Sequence, residues 1–220
     1  YSSTTSGNAI YVDGVPLAGG TGANTSASGR IAGLLQLRDS VAPAMQRQLD
    51  EVARGLVTAF RETDPSSVQP DAPGLFTWSG APAIPAAGTL VNGLAASISI
   101  NAAMDYSSGG NPVLLRDGGA NGAAYVHNSS GAASYSGLLL SLGTRLEQPM
   151  SFDLVAGLGN SSTLSTYSAN SISWLEGMRQ EASRATETKS ALMVRTTEAL
   201  SNSTGVNIDL EMSLLLELEH

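Results

Sequence analysis

The chain has 220 residues, a formal charge of −8 and no cysteine. That charge argues against nucleic acid and anionic membrane surfaces as partners, since both recruit basic patches. Without a thiol there is no disulfide, no thiolate metal site and no cysteine nucleophile. Hydrophobic residues make up 42% and charged residues 14%, with no apolar run near the ~20 residues that span a bilayer.

The length suits one large domain or two small ones. Tyr1 opens a Ser/Thr-rich stretch and His220 closes inside an apolar helical pattern, so the chain reads as an excised piece. Leu218-Glu219-His220 reads equally as native sequence or as the start of a tag. Asp13-Gly14 between β-prone flanks predicts a two-residue hairpin, because both turn positions need positive φ. Residues 19–29 form a Gly/Ser/Thr/Asn loop without a P-loop lysine or a complete G-x-G-x-x-G, so no phosphate cradle is expected.

Residues 30–38 predict a short helix with Ile31, Leu34 and Leu35 on one face. Pro43 marks a break or a fresh first turn. Residues 41–60 carry the sharpest amphipathic pattern, with Met45, Leu49, Val52, Leu56 and Ala59/Phe60 expected inside. Arg47, Asp50, Glu51, Arg54 and Arg61 then form a solvated outer face with i,i+4 pairs such as Asp50–Arg54.

Residues 61–87 are Pro-rich and irregular. Phe76 and Trp78 either make a sugar-binding platform or pin this loop to a core, the commoner use of such aromatics. Residues 95–101 alternate as a strand with Ile98 and Ile100 on one side. Asn111-Pro112 caps a helical turn over 113–116, ended by Gly118-Gly119. Ser134 caps a helix with Tyr135, Leu138, Leu139, Leu142 and Leu146 on one face, stopped by Pro149; residues 150–162 connect.

Leu164, Ser168, Ser171, Leu175, Met178, Ala182, Ala185, Lys189, Leu192, Thr196 and Ala199 keep a heptad spacing, predicting one helix roughly 54 Å long. This small-residue stripe buries little area per residue, so it needs partners along its whole length, with Leu192 facing a helical core. Ser203-Thr204-Gly205 breaks the run. Asn207 caps a further helix in which Ile208, Leu210, Met212, Leu214, Leu215, Leu216 and Leu218 are apolar nearly all round. Such a helix is buried or begins an assembly surface.

Candidate chemistry is thin. A Ser-His-Asp hydrolase has His127 available, in a Gly/Asn/Ser loop without a nucleophile elbow. Asp117 and Asn121 flank glycines, faintly like a calcium loop but without EF-hand ligand periodicity, and read better as a solvated turn. Thr186-x-x-Lys189 has nucleophile–lysine spacing but lies mid-helix. Asp50 and Glu51 point to different helix faces, which rules out an acid/base pair. Asn-x-Ser/Thr triplets at Asn24, Asn128, Asn160 and Asn202 are expected by chance in so Ser/Asn-rich a chain. No catalytic, metal-binding or cofactor-binding residue is assigned.

Three stretches together resemble the bacterial flagellar hook-associated protein 1 family. They are Ser28-Gly29-Arg30-Ile31-Ala32-Gly33-Leu34-Leu35-Gln36-Leu37-Arg38-Asp39 with Leu49-Asp50-Glu51-Val52-Ala53; Ile98-Ser99-Ile100-Asn101-Ala102-Ala103 with residues 111–119; and Ser203-Thr204-Gly205-Val206-Asn207-Ile208-Asp209-Leu210-Glu211. The resemblance runs from Ala9 to the C-terminus in order. It implies a non-enzymatic junction subunit between hook and filament, exported unfolded and assembled outside the cell. The implied partners are the hook protein, the second junction protein and further copies in the axial assembly. An export chaperone would act through a C-terminal part that this chain lacks. An adhesin or glycan-binding module, flagellin or the second junction protein are the alternatives.

The expected fold is mainly α with minor β (α+β): an elongated helical bundle with a β-hairpin and a small irregular β region. Residues 1–28 give the hairpin and loop, 29–62 helices, 63–133 a β-containing insertion and 134–220 the helices that complete the bundle. Residues 29–62 and 134–220 together make one helical domain.

Overall fold

A computed structural model of the chain describes residues 10–16, 29–205 and 208–218. The fold is mainly α with minor β. It divides into two units, Tyr1–Ile172 and Ser173–His220.

Tyr11–Val12 (β1) and Val15–Pro16 (β2) pair antiparallel. Asp13 and Gly14 between them have φ of 49° and 76°, the two left-handed positions that an Asp-Gly hairpin turn requires. The Gly/Ser loop over 19–29 lies, apart from Gly29, outside the described residues.

Arg30–Gln36 (α1) and Ala42–Ala59 (α2) are joined without a break by one wide π turn, Leu37–Val41. Pro43 explains it. Proline offers no N–H to the carbonyl four residues back, and its ring crowds that carbonyl. The helix widens just before it, and the Ala42 N–H donates to the Leu37 carbonyl, five residues back. Only Leu35 of the expected α1 face is buried; Ile31 and Leu34 are exposed.

Helix α2 reverses the expectation about its polar side. Gln48, Asp50, Glu51 and Arg54 are essentially inaccessible, while Leu49 is 43% exposed. Asp50, Glu51 and Arg54, assigned to solvent, are inside because irregular chain covers that side of the helix, while Arg47 and Arg61 of the same expected face stay partly exposed. One apolar cluster gathers Phe152, Ala156, Leu164 and Tyr167 with Val52 and Leu56. A second gathers Ala53, Val57 and Leu94 with Phe76, Trp78 and Ile84. Gly55 makes room for the first cluster: a Cβ there would lie 2.6 Å from Leu164 Cδ1.

Phe76–Thr77 (β3) pairs antiparallel with Ser99–Ile100 (β4). The strand expected over 95–101 is shorter, because Leu94–Ser97 (α3) is a helical turn. Its N–H groups are claimed by Asp50, as described below. Leu114–Asp117 (α4) follows expectation: Asn111 Oδ1 accepts the Val113 N–H at 3.1 Å and Gly118, with φ of 79°, ends the turn. Gly137–Glu147 (α5) begins later than the Ser134 cap implied. It buries Leu138 and Leu142 and exposes Leu139. The connector over 150–162 contains a third ribbon, Met150–Ser151 (β5) against Ser161–Ser162 (β6).

Leu164–Thr204 (α6) is one helix of 41 residues. Thr163 Oγ1 accepts the Thr166 N–H at 3.1 Å and so caps its start. Its buried residues, Leu164, Tyr167 and Ser171, all lie in the first two turns. The expectation of burial along the whole stripe is therefore corrected. Leu175 and Leu192 are exposed, Leu192 by 61%. Ile208–Leu218 (α7) follows after Gly205, and the expected Asn207 cap lies outside the described residues.

The buried polar side of α2 yields a test. Arg54→Met leaves the Glu51 carboxylate buried without its cation, an expected loss of about 3–5 kcal/mol. Leu49→Ala, on the supposed inner face, should cost under about 1 kcal/mol. Urea denaturation of both variants checks the order, which would invert if the polar side faced solvent.

Candidate functional site

The most concentrated polar chemistry lies along α2 and the residues just after it. Arg54 Nε and Nη2 donate to the two carboxylate oxygens of Glu51 at 2.9 and 2.7 Å. Arg54 Nη2 also donates to the Ser151 carbonyl, and its guanidinium stands 5.6 Å from the centre of the Phe152 ring. Glu51 accepts the Asp153 N–H at 3.0 Å. Tyr167 stacks on Phe152 at 3.9 Å. Burial pushes the Tyr167 hydroxyl up to about 12, so it stays neutral.

Asp50 works on a different loop. Its carboxylate accepts the N–H groups of Gly93 and Ala95, each at 2.9 Å, and an amide N–H of Gln46 at 3.0 Å. Gln48 accepts the Ser171 hydroxyl at 2.7 Å. The Asp50–Arg54 pair expected from spacing is replaced by Glu51–Arg54. Asp50 and Glu51 do serve separate surroundings, as their positions on the helix imply.

Beyond α2 the pattern continues. Glu62 accepts backbone N–H groups from Gly119, Ala120 and Asn121 at 2.6, 2.9 and 2.8 Å. It also accepts the Asn121 side-chain amide at 2.7 Å. Asp64 accepts N–H groups from Ser66, Val68 and Gln69, which hold its carboxyl below the usual range. Asp153 does the same for Val155 and Leu90 and is likewise lowered.

This arrangement settles where the candidate residues lie. The loop with Asp117 and Asn121 turns donors, not oxygen ligands, toward its centre, and Glu62 occupies it. The solvated turn expected there is thus a loop clamped onto a buried carboxylate. Asp117 pairs with Arg116 at 2.7 Å and accepts the Asn128 amide at 2.8 Å, which hold it down at about 2. His127 Nε2 lies 3.0 Å from the Thr63 carbonyl, a backbone tie and not a serine partner. Thr186 Oγ1 donates to the Ala182 carbonyl within α6. Among the described residues no group of three or more His, Asp or Glu stands close enough to hold a metal ion.

Phe76 packs edge-on against Phe60 at 5.3 Å. Trp78 packs on the Ala53–Val57–Leu94 cluster and donates its indole N–H to the Ala83 carbonyl at 2.8 Å. Both pin the Pro-rich loop, as the commoner reading has it. Asn128, one of the Asn-x-Ser triplets, is buried and bonded to Asp117 and the Ala132 carbonyl. Asn160 and Asn202 are exposed, and Asn24 lies outside the described residues.

The second unit, taken by itself, has a different character. Along α6, Leu192, Met193, Val194 and Leu200 are all exposed, and on α7 Leu214, Leu215, Leu216 and Leu218 are exposed, Leu218 by 84%. No described helix is long and apolar enough to cross a membrane. The apolar surface of these two helices is the strongest candidate for a functional surface, since exposed apolar stretches of this extent mark interaction sites. Comparison with known protein families, curated proteins and solved structures finds no match to the chain.

Two outcomes follow. Asp64, Asp105, Asp117 and Asp153 are all held below their ordinary 3.8. A carboxyl lowered in the folded state stabilises above its unfolded value and loses that contribution as pH falls through the folded one. The melting temperature should be flat above about pH 5 and fall between about pH 4 and 2. Asp153→Asn should shallow that fall, read by circular dichroism. Leu192→Asp should leave urea stability within about 0.5 kcal/mol of the parent, where a core leucine would cost several.

Proposed function

We propose that the chain is a structural subunit of the bacterial flagellum, a junction protein of the hook-associated protein 1 kind seated between hook and filament. The carrying observation is the exposed apolar surface of α6 and α7. A helix of 41 residues that buries only its first turns has the form of an assembly element awaiting neighbours. The three sequence stretches that resemble the family support the same reading, and the second of them maps onto β4 and the capped turn of α4.

The role is mechanical and non-catalytic, and its site of action is extracellular, after export of the unfolded chain. Polar groups near α2 are engaged in holding loops, which suits a structural role. The hook protein on one side and the second junction protein on the other are the partners of this reading, together with further copies of the chain. A cysteine-free sequence suits this route, since it cannot be trapped by disulfide formation on leaving the cell.

Deletion of the gene in its own bacterium tests the proposal. Cells should keep hooks, lose filaments and release filament protein into the medium, and the full-length gene should restore filaments. Filaments of normal length on the deleted strain would overturn it. In the complemented strain, Leu192→Asp should reduce filament number without lowering the amount of chain exported.

A further inference from the structure

The sequence contains two Asn–Gly steps, Asn92–Gly93 and Asn121–Gly122. At such a step the glycine nitrogen can attack the asparagine side-chain carbonyl, unhindered by a Cβ. The backbone N–H proton passes to solvent base, the Gly N–Asn Cγ bond forms, the Cγ–Nδ2 bond breaks, and the departing amide nitrogen takes a proton back from solvent and leaves as ammonia. Water then opens the resulting succinimide at either carbonyl, giving aspartate or isoaspartate.

We propose that Asn92 is a deamidation site gated by the buried carboxylate of Asp50. The attacking nitrogen of Gly93 is the one whose N–H is donated to Asp50 Oδ2 at 2.9 Å. While that bond holds, the nitrogen is fixed beside a negative charge that opposes loss of its proton. Asp50 is inaccessible to solvent whereas Asn92 is exposed, so water reaches the amide but not the clamp. Reaction requires the α3 loop to lift from α2.

The event is one-way. Hydrolysis of the succinimide restores the Gly93 N–H, but isoaspartate adds a backbone methylene just before a residue held at φ of 80°. In that product the N–H is shifted from its place at Asp50, so each such conversion records an opening of the loop.

Asn121 is the internal comparison. Its side-chain amide donates both to Glu62 at 2.7 Å and to the Pro73 carbonyl at 2.7 Å. Its own N–H is bound to Glu62, and the Gly122 N–H to the Gly119 carbonyl at 3.1 Å. Releasing that loop breaks four hydrogen bonds to Glu62, against the two N–H groups that Asp50 holds, so Asn121 should be the slower step in the folded chain.

Incubation of the full chain in mildly alkaline buffer, followed by trypsin and mass spectrometry, reads both sites, because cleavage at Arg61, Arg116 and Arg145 places them on separate peptides. In concentrated urea the two should convert at similar rates. In the folded chain Asn92 should slow by about tenfold or more, as a step gated by local opening, and Asn121 should slow further. Asp50→Asn should speed Asn92 while Asn121 stays slow. If that variant unfolds, Asn121 will accelerate with it. A urea series on the parent chain below its unfolding transition then decides, Asn92 rising at lower urea than Asn121. Equal folded and unfolded rates at Asn92, no response of a folded Asp50→Asn variant, or faster conversion at Asn121 would each overturn the proposal.

Discussion

The first unit depends on carboxylates that accept backbone N–H groups from loops. Long stretches of its described residues lack regular structure, yet every buried peptide group needs a partner. Sheets supply such partners in most folds; here the described strands are two residues long. Asp50, Glu51, Glu62, Asp64 and Asp153 supply them instead. Each takes N–H groups from a different stretch, so residues 50–64 serve as a spine to which loops from residue 66 to residue 153 are fastened, and Asp153 in turn holds Leu90 and Val155.

Burying charge is costly, and the structure shows how the cost is offset. Glu51 and Arg54 neutralise each other in a two-pronged contact, and the remaining hydrogen-bonding capacity goes to Ser151 and Asp153. Such a pair contributes little net stability against an apolar substitute, but losing one member is severe. Net stabilisation comes from the apolar clusters on either side of α2. The polar network decides which loop lies where. Gly55 belongs to the same arrangement, since only a hydrogen at that position lets Leu164 close over the helix.

Local signals in the sequence were reliable where one or two residues determine the geometry. Asp13-Gly14, Asn111-Pro112 with Gly118, and the uninterrupted run from Leu164 onward all take the form expected. The π turn was not legible as such, although Pro43 causes it. The larger miss was the polar side of α2. Periodicity reports which residues are alike, and equates polar with solvated. It carries no information on whether a loop distant in sequence will need acceptors there. A usable signal existed: seven charged residues fall within 47–64 of a charge-poor chain, directly before a long stretch of Pro, Gly and Ser. The heptad stripe misled in the opposite direction. Its spacing gave the helix correctly, but burial of Leu192 depends on neighbours that this chain does not supply among its described residues.

The very short ribbons carry a consequence for how folded copies of the chain meet. Cross-β growth starts where an extended apolar strand offers a free edge to another molecule. Pairings of two residues, such as Phe76–Thr77 with Ser99–Ile100, are too brief to template a third strand. A fold ordered by acidic side chains instead of ladders therefore offers other copies little free strand edge among its described residues.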